Sequence, residues 1–519
     1  MKWGRAAGFA ALFSFAGAPV AVAQDVNLTS HDGQIEITGD LLGFDGEFYR
    51  VDTVYGELTV DGSGVICSGP GCPNLENYVA RLTFSGAPVV GRVLMPALIE
   101  AFAIRNDFEV RRDNLQDGQF LYALMARDSD ALLAEFTFHL TNTDEGFADL
   151  LANEADVVMA VREVRPEEVV RARERGLGDL TAQGRSRVIA LDALVPVVAP
   201  DNPVQEITPL QLSQVLAGQI SNWRNLGGVD APIDLHVRDQ VSGLGQATFD
   251  QLLVPVEQGL RDDVYRHTSN LALTEAVTNG PFSLGVTSRS EPGDSRELAL
   301  SGACGFALKA SRTAMKTEDY PLTAPLFLYF PALRLPKIGR EFVNYLNDPS
   351  AQLVIRRAGF VDQNPEEIAV NVQGDRFANA IAQAGKDVDL AELQRMVQAL
   401  TPLQRLTTTF RFEAGSSRLD AQSRSNVLQL AHAMESGAYD ARRLVFVGFS
   451  DGEGGAAANR DIAMRRAETV RQAVETAAET ADLSGIGLET HAFGEAMPMA
   501  CDDSAWGRQV NRRVEVWVR

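Results

Sequence analysis

The chain has 519 residues, 45% of them hydrophobic and 22% charged, with 47 basic against 69 acidic side chains and a formal net charge of −22. That length implies about three domains of ordinary size, and the apolar share is enough to build real cores. So acidic a balance excludes nucleic acid and anionic membrane as the main partners.

The first 23 residues, "MKWGRAAGFAALFSFAGAPVAVA", set Lys2 and Arg5 ahead of an uncharged apolar run and end in small-x-small before Gln24. This is the pattern of a secretory signal peptide, and its removal takes the charge from −22 to −24. No cysteine follows the run to carry a lipid, and no later segment is long enough to span a bilayer. The mature chain is therefore expected to be exported, with no transmembrane segment. Export permits disulfides. Cys67 and Cys72 enclose "CSGPGC", whose Gly and Pro let the chain turn back into a local bridge, and no nearby His or second Cys pair completes a metal set. Cys304 and Cys501 stay open between two thiols and a bridge joining distant parts of the chain.

Residues 24–78 read as a small β-rich module, because "QIEITGDLLGFDGEFYRVDTVYGELTV" alternates apolar and polar residues between Gly and Asp turns. From 79 to 362 strands and helices alternate. "ADVVMAV", "VIALDALVPVVAP", "PIDLHVR" and "PFSLGVTS" read as buried strands. "ITPLQLSQVLAG" reads as a helix capped by Thr208, with Pro209 at its first position, Gln211 answering the cap and Gly218 ending it. Such alternation implies parallel sheets covered by helices, in two lobes. Residues 363–404 read as a linker with a short helix around "DLAELQRMVQAL". Residues 405–519 read as a complete α+β domain with the order β-α-β-α-β-β. The fold class is thus multidomain, α/β plus α+β.

The stretches "SGAPVVG", "PLQLSQVLAGQISNWRNLGG", "HVRDQVSGLGQATF" and "AVTNGPFSLGV" together resemble the periplasmic phosphate-type substrate-binding proteins over about 80–362. The resemblance implies a two-lobed periplasmic-binding-protein-like domain that holds phosphate or another small anion between its lobes, using backbone N–H groups and hydroxyls. Carried over position by position, it nominates Gly86, Ala87, Arg162, Arg238, Ser242 and Gly243. The carry-over is incomplete. Gly86-Ala87-Pro88-Val89 offers no hydroxyl where the family has Ser or Thr, Leu244 stands where a Thr is usual, and Val161-Arg162 stands where Ser-Arg is common.

"GFSDGEGGAAANRDIAMRRAETV", with "GEAMP" and "GRQVNRRVEVWV" downstream, resembles the OmpA-like peptidoglycan-binding domain over about 404–519. Gly448, Asp451, Gly454, Asn459, Ile462, Ala463, Arg466 and Ala467 fall in its register. The chemistry is intelligible residue by residue. Diaminopimelate of a wall stem peptide carries an ammonium and a carboxylate at its side-chain end. Asp451 would accept from the ammonium, and Arg466 would offer its planar fork to the carboxylate. Asn459, Gly454 and Ser450 would shape the loop, and Arg513 is a candidate second contact. Helical spacing puts Ile462, Arg466, Val470 and Ala473 on one side, with Ala463, Ala467 and Val474 beside them, and leaves Arg465 to solvent.

The expectation is a non-enzymatic, cofactor-free and metal-free protein of the periplasm, associated with cell wall and outer membrane. It would bind peptidoglycan and carry an anion-binding domain. The alternative is a periplasmic phosphate or oxyanion receptor of a transport system that uses the wall only as a tether. Catalysis is disfavoured, since no Gly-x-Ser-x-Gly elbow, His cluster or Cys–His context appears among six scattered histidines.

Overall fold

The computed structural model describes residues 25–519 apart from 76–77, 117, 303–305, 386–387, 414–415 and 503–504. The signal-peptide segment lies outside the described residues, as does Cys304. The chain divides into two compact units meeting between Tyr78 and Val79.

The first unit is a five-stranded antiparallel sheet in the order Gly56–Asp61, Phe48–Thr53, Glu36–Phe44, Val26–Ser30, Val65–Ser68. Alternation puts Val26, Leu28, Tyr49 and Val51 in its small core. The Cys67–Cys72 disulfide closes the end of the last strand.

The second unit begins with one long sheet shared by both lobes. Its spine is Ser186–Val198, a strand almost wholly buried, as its unbroken apolar run demands. Residues 186–193 pair with Thr323–Tyr329 on one side, and residues 194–198 pair with Ser283–Ser288 on the other. Beyond Thr323–Tyr329 come Val157–Ala160, Ala80–Gly86 and the antiparallel meander Leu132–Leu140, Gln119–Ala126, Phe108–Gln116. Beyond Ser283–Ser288 come Asp234–Arg238 and Tyr265–His267. The sheet is mixed where a parallel one was expected, because the spine strand meets both neighbours antiparallel. The capping box at Thr208 forms as read: Thr208 Oγ1 accepts from Gln211 N (3.0 Å) and Gln211 Oε1 accepts from Thr208 N (2.9 Å).

In the C-terminal domain the sheet runs Glu367–Ile368, Gln404–Arg411, Arg513–Val518, Arg443–Gly448, Gly487–Ala492. Helices Ala421–Glu435 and Ala456–Ala477 cover one face around Leu406, Phe410, Leu430, Val470 and Val516. A short helix, Ala505–Asn511, precedes the last strand and was absent from the sequence reading. Residues 363–404 are not a bare connection. They supply the edge strand Glu367–Ile368 and the helices Gly374–Ala382 and Leu390–Leu400, which pack Met396 and Leu400 against Val445, Val447 and Trp517. The amphipathic spacing of "LAELQRMVQAL" covers the second face of the sheet.

This domain is locked onto the crossover that follows Ala310. Arg405 is bidentate to Asp319 (2.6 and 3.1 Å), and both are buried. Arg411 reaches the Glu318 carboxylate (3.1 Å) and its carbonyl (2.6 Å), and Asn426 donates to the same carboxylate (3.2 Å). Glu318 sits at φ 55°, a left-handed conformation uncommon for a non-glycine and sustained here by these contacts. Glu163 and Glu318 line one cavity of about 360 Å³, where Glu163 accepts from Ala421 N (3.1 Å).

Although Glu163 keeps surface exposed to solvent, the protein crowding its carboxyl, then the negative Asp420, push it up to about 7, against the Ala421 N–H and Arg424, with Glu413 adding to the rise. A carboxyl whose pKa is raised on folding stabilises the native state below its unfolded value and loses that contribution as pH climbs through the folded value. Melting temperature should therefore fall between about pH 5 and pH 8, and Glu163→Gln should flatten that fall. Parallel curves for the two proteins would remove this assignment.

Candidate functional site

Two places gather the residues singled out from sequence. The first is the loop between strand Arg443–Gly448 and helix Ala456–Ala477. Gly448 lets strand and helix touch, for a Cβ there would meet Ala463 O at 2.0 Å. Phe449 turns into the core beside Phe493. Asp451 follows at the loop's start, with only 11% of its side chain exposed. Its Oδ2 accepts from Arg512 Nη1 at 2.6 Å. Gly454 supplies the turn at φ 103° that precedes the helix. Asn459 is buried and donates to Glu495 (2.6 Å), fixing the loop against the segment after Gly487–Ala492. Ser450 is buried too, and its Oγ has no hydrogen-bond partner.

Arg466 rises from the helix towards this loop. Its guanidinium lies 5.3 Å over the Phe412 ring. Burial, and then Arg512 beside it, press its pKa down, while Asp451 acts against them. Among the described residues it has neither a hydrogen bond nor an ion pair. The arrangement is a half-buried cation with free N–H groups near a carboxylate that another arginine steadies. The helix stripe is Ala463, Ala467, Val470 and Val474, all buried, so Ile462 is displaced from the core to a partly exposed position. Arg465 is exposed.

Arg513 does not reach the site. It is fully buried, bonded to Glu515 (2.8 Å) and Met497 O (2.9 Å), and the Phe449 ring lies 4.4 Å from its guanidinium carbon. Arg512 is the arginine of "NRRVEV" that faces Asp451. Two-residue periodicity carries the signal: Arg513 shares a strand face with Glu515 and Trp517, and Arg512 falls before the strand. Glu515 is a hub for Arg376, Arg405 and Arg513, which together outweigh burial and hold its carboxyl well below the ordinary range.

The second place is the cleft between the lobes, a cavity of about 350 Å³. Arg238, Ser242 and Gly243 line it. Gly86 and Ala87 do not. Both are buried where the end of strand Ala80–Gly86 lies parallel beside Val157–Ala160, and a Cβ at Gly86 would meet Met159 O at 2.1 Å. Arg162 turns to the opposite side. Asp144 and Glu168 (2.7 and 2.9 Å) and Glu163 O (2.9 Å) take up its guanidinium, so it has no donor left for an anion in the cleft. Arg92, passed over in the sequence, lines the cleft, is exposed and has no partner among the described residues. Asp192 is buried at the wall, its pKa raised by burial although Ser288 and Ser290 (2.8 Å) donate to it.

Cys501 is disulfide-bonded, and Cys67 and Cys72 are each other's partners. Among the described residues no group of three or more His, Cys, Asp or Glu converges as a metal site, and no helix is long and apolar enough to cross a membrane.

Residues 133–349 match the family model described as "PBP superfamily domain", and residues 411–512 match "OmpA family". The phosphate-binding protein PstS of Borreliella burgdorferi is 23% identical over 230 residues, 43% of this chain and 78% of that protein. Protein SphX of Synechococcus elongatus is 26% identical over 237 residues, 43% and 68% respectively. Among solved structures, an ABC-type phosphate transport receptor from Vibrio cholerae aligns with TM-score 0.42 and 19% identity, covering 54% of this chain and 99% of its own. The peptidoglycan-associated lipoprotein from Burkholderia pseudomallei aligns with TM-score 0.19 and 22% identity, covering 21% and 89%. By its two family matches the chain joins a PBP superfamily domain to a C-terminal OmpA family domain.

Proposed function

We propose that this is an exported protein of the periplasm that grips peptidoglycan non-covalently through the diaminopimelate of stem peptides, and that its two-lobed domain takes phosphate or another small anion beside the wall. The observation that carries the first half is the free guanidinium of Arg466, half-buried over Phe412 with Asp451 close by. A desolvated cation without a partner is costly, and a ligand carboxylate would relieve that cost with two parallel bonds. Asp451 has lone pairs beyond the one Arg512 uses, so a ligand ammonium can join it. One zwitterion contact is modest, but the wall repeats it densely, and rebinding raises retention.

The anion reading rests on Arg238 and Arg92 in the cleft and on similarity to proteins named as phosphate-binding. Read alone, that half describes a transport receptor tethered to the wall. Co-sedimentation with purified sacculi tests the proposal. The full chain should pellet with them, and free diaminopimelate should release it, whereas cadaverine, which keeps both ammonium groups and has no carboxylate, should not. Equal release by both would reduce the interaction to charge alone.

A further inference from the structure

The cleft of the two-lobed domain is larger and more apolar than a small oxyanion requires. At about 30 Å³ per water, its roughly 350 Å³ has room for about a dozen waters, several times what five heavy atoms displace. Cavities of this size hold small organic molecules.

Its hydrogen-bond donors come from one end. Arg238 has already committed Nε to His267 O (3.0 Å), Nη2 to Thr268 O (2.9 Å) and Nη1 to Asn270, leaving two of the guanidinium's N–H groups. Arg92 adds an unpartnered guanidinium. Of the hydroxyls on the wall, three are spent, while Ser269 accepts from Ala272 N (3.1 Å) and keeps its O–H, and Thr268 Oγ1 has no partner among the described residues. Ser242 donates to Asp239 O (2.6 Å) and accepts from Gly245 N (3.0 Å), while Ser288 and Ser290 bond Asp192. Asn270 is used at both ends, by Arg238 and Glu291.

Much of the remaining wall is hydrocarbon: Val89, Val161, Leu194, Leu244, Leu326 and Phe360. Val161 packs at the spot a Gly243 Cβ would approach to 3.3 Å, so apolar surface lies directly beside the helix that Ser242 caps. At the rim Val93 and Leu271 are 47% and 64% exposed, with nothing covering them. A bare oxyanion can meet the arginines and the Thr268 and Ser269 hydroxyls, but it leaves the apolar part of the wall uncovered. Asp239 and Glu291 also lie close enough to offset part of the Arg238 charge, so contact with a ligand body must supply much of the affinity.

We infer that the cleft is built for an organic anion, an acidic headgroup held by Arg238 and Arg92 on an apolar body seated against Leu244, Leu326 and Phe360. This rests on reading the cleft as an anion site. Calorimetric titration of the full chain with inorganic phosphate and with phenyl phosphate, which share a headgroup and differ by a ring, tests it. Phenyl phosphate should bind at least about tenfold tighter. Leu271→Ser, at an exposed position, should weaken phenyl phosphate several-fold and leave phosphate unchanged. Arg92→Gln, also exposed, should weaken both. Phosphate binding as tightly as phenyl phosphate, or a Leu271→Ser protein indistinguishable from wild type, would overturn the organic body and leave the anion reading standing. Absence of heat with either compound would overturn both.

Discussion

Replacing Arg405 with alanine should lower folding stability by about 3–5 kcal/mol, the scale for stripping one partner from a buried ion pair. The guanidinium is 1% exposed and bonds Asp319, at the crossover beneath the lobes, while its Nε lies 3.3 Å from Glu515 in the last strand. Without it Asp319 loses its cation. Burial works against the Asp319 charge, and Arg405 overrides burial to hold that carboxyl below its ordinary value. Glu515 would keep Arg376 and Arg513, so the damage should fall on the contact between domains. Removing both charges with Arg405→Leu and Asp319→Leu should recover more than half of the loss, because an apolar pair of similar volume carries no desolvation cost. Urea denaturation of the three proteins reads this directly. A loss below about 1 kcal/mol for Arg405→Ala, the range of solvated surface pairs, would mean that water reaches the contact.

This contact also marks where the sequence was silent. Elements announce themselves locally: the cap at Thr208, the apolar run at Ser186–Val198 and the helix Ala456–Ala477 could each be read from neighbours in the chain. Arg405 and Asp319 are 86 residues apart, and neither position carries a local sign that it is buried or paired. The packing of residues 363–404 is silent in the sequence for a related reason. The helix Leu390–Leu400 was visible, but the sheet face it covers is assembled from strands that come later. In the cleft, register alone nominated Arg162, yet Asp144 and Glu168 claim it, and those carboxylates stand 18 and six residues away. In the loop before helix Ala456–Ala477 the spacing did bring Asp451 and Arg466 into one neighbourhood, since a loop followed by a helix fixes their separation through local geometry. What it missed was Arg512, just ahead of the last strand and 61 residues beyond Asp451.

That arginine sharpens the prediction for wall binding. Asp451→Asn should reduce retention on sacculi by about tenfold or more, the weight of a charged hydrogen bond of about 1.5–3 kcal/mol. It would also leave Arg512 and Arg466 facing each other without the carboxylate between them. Arg466→Lys should lose nearly as much, because an ammonium on a flexible stem cannot give the two parallel bonds of a guanidinium and does not stack over Phe412 in the same way. Arg512→Gln should cost less, a few-fold, since Arg512 positions Asp451 through one 2.6 Å bond and its loss leaves the ligand's own ammonium to take that place. Arg465→Gln, one residue from Arg466 but exposed, should bind as wild type does. The order matters more than any single value. Generic attraction between basic side chains and the wall would make Arg465 and Arg512 count as much as Arg466, and would make Asp451→Asn bind more tightly by removing a negative charge. A site that clasps both ends of a zwitterion gives the opposite sign at Asp451, and the pelleted fraction of the four proteins at matched ionic strength separates the two.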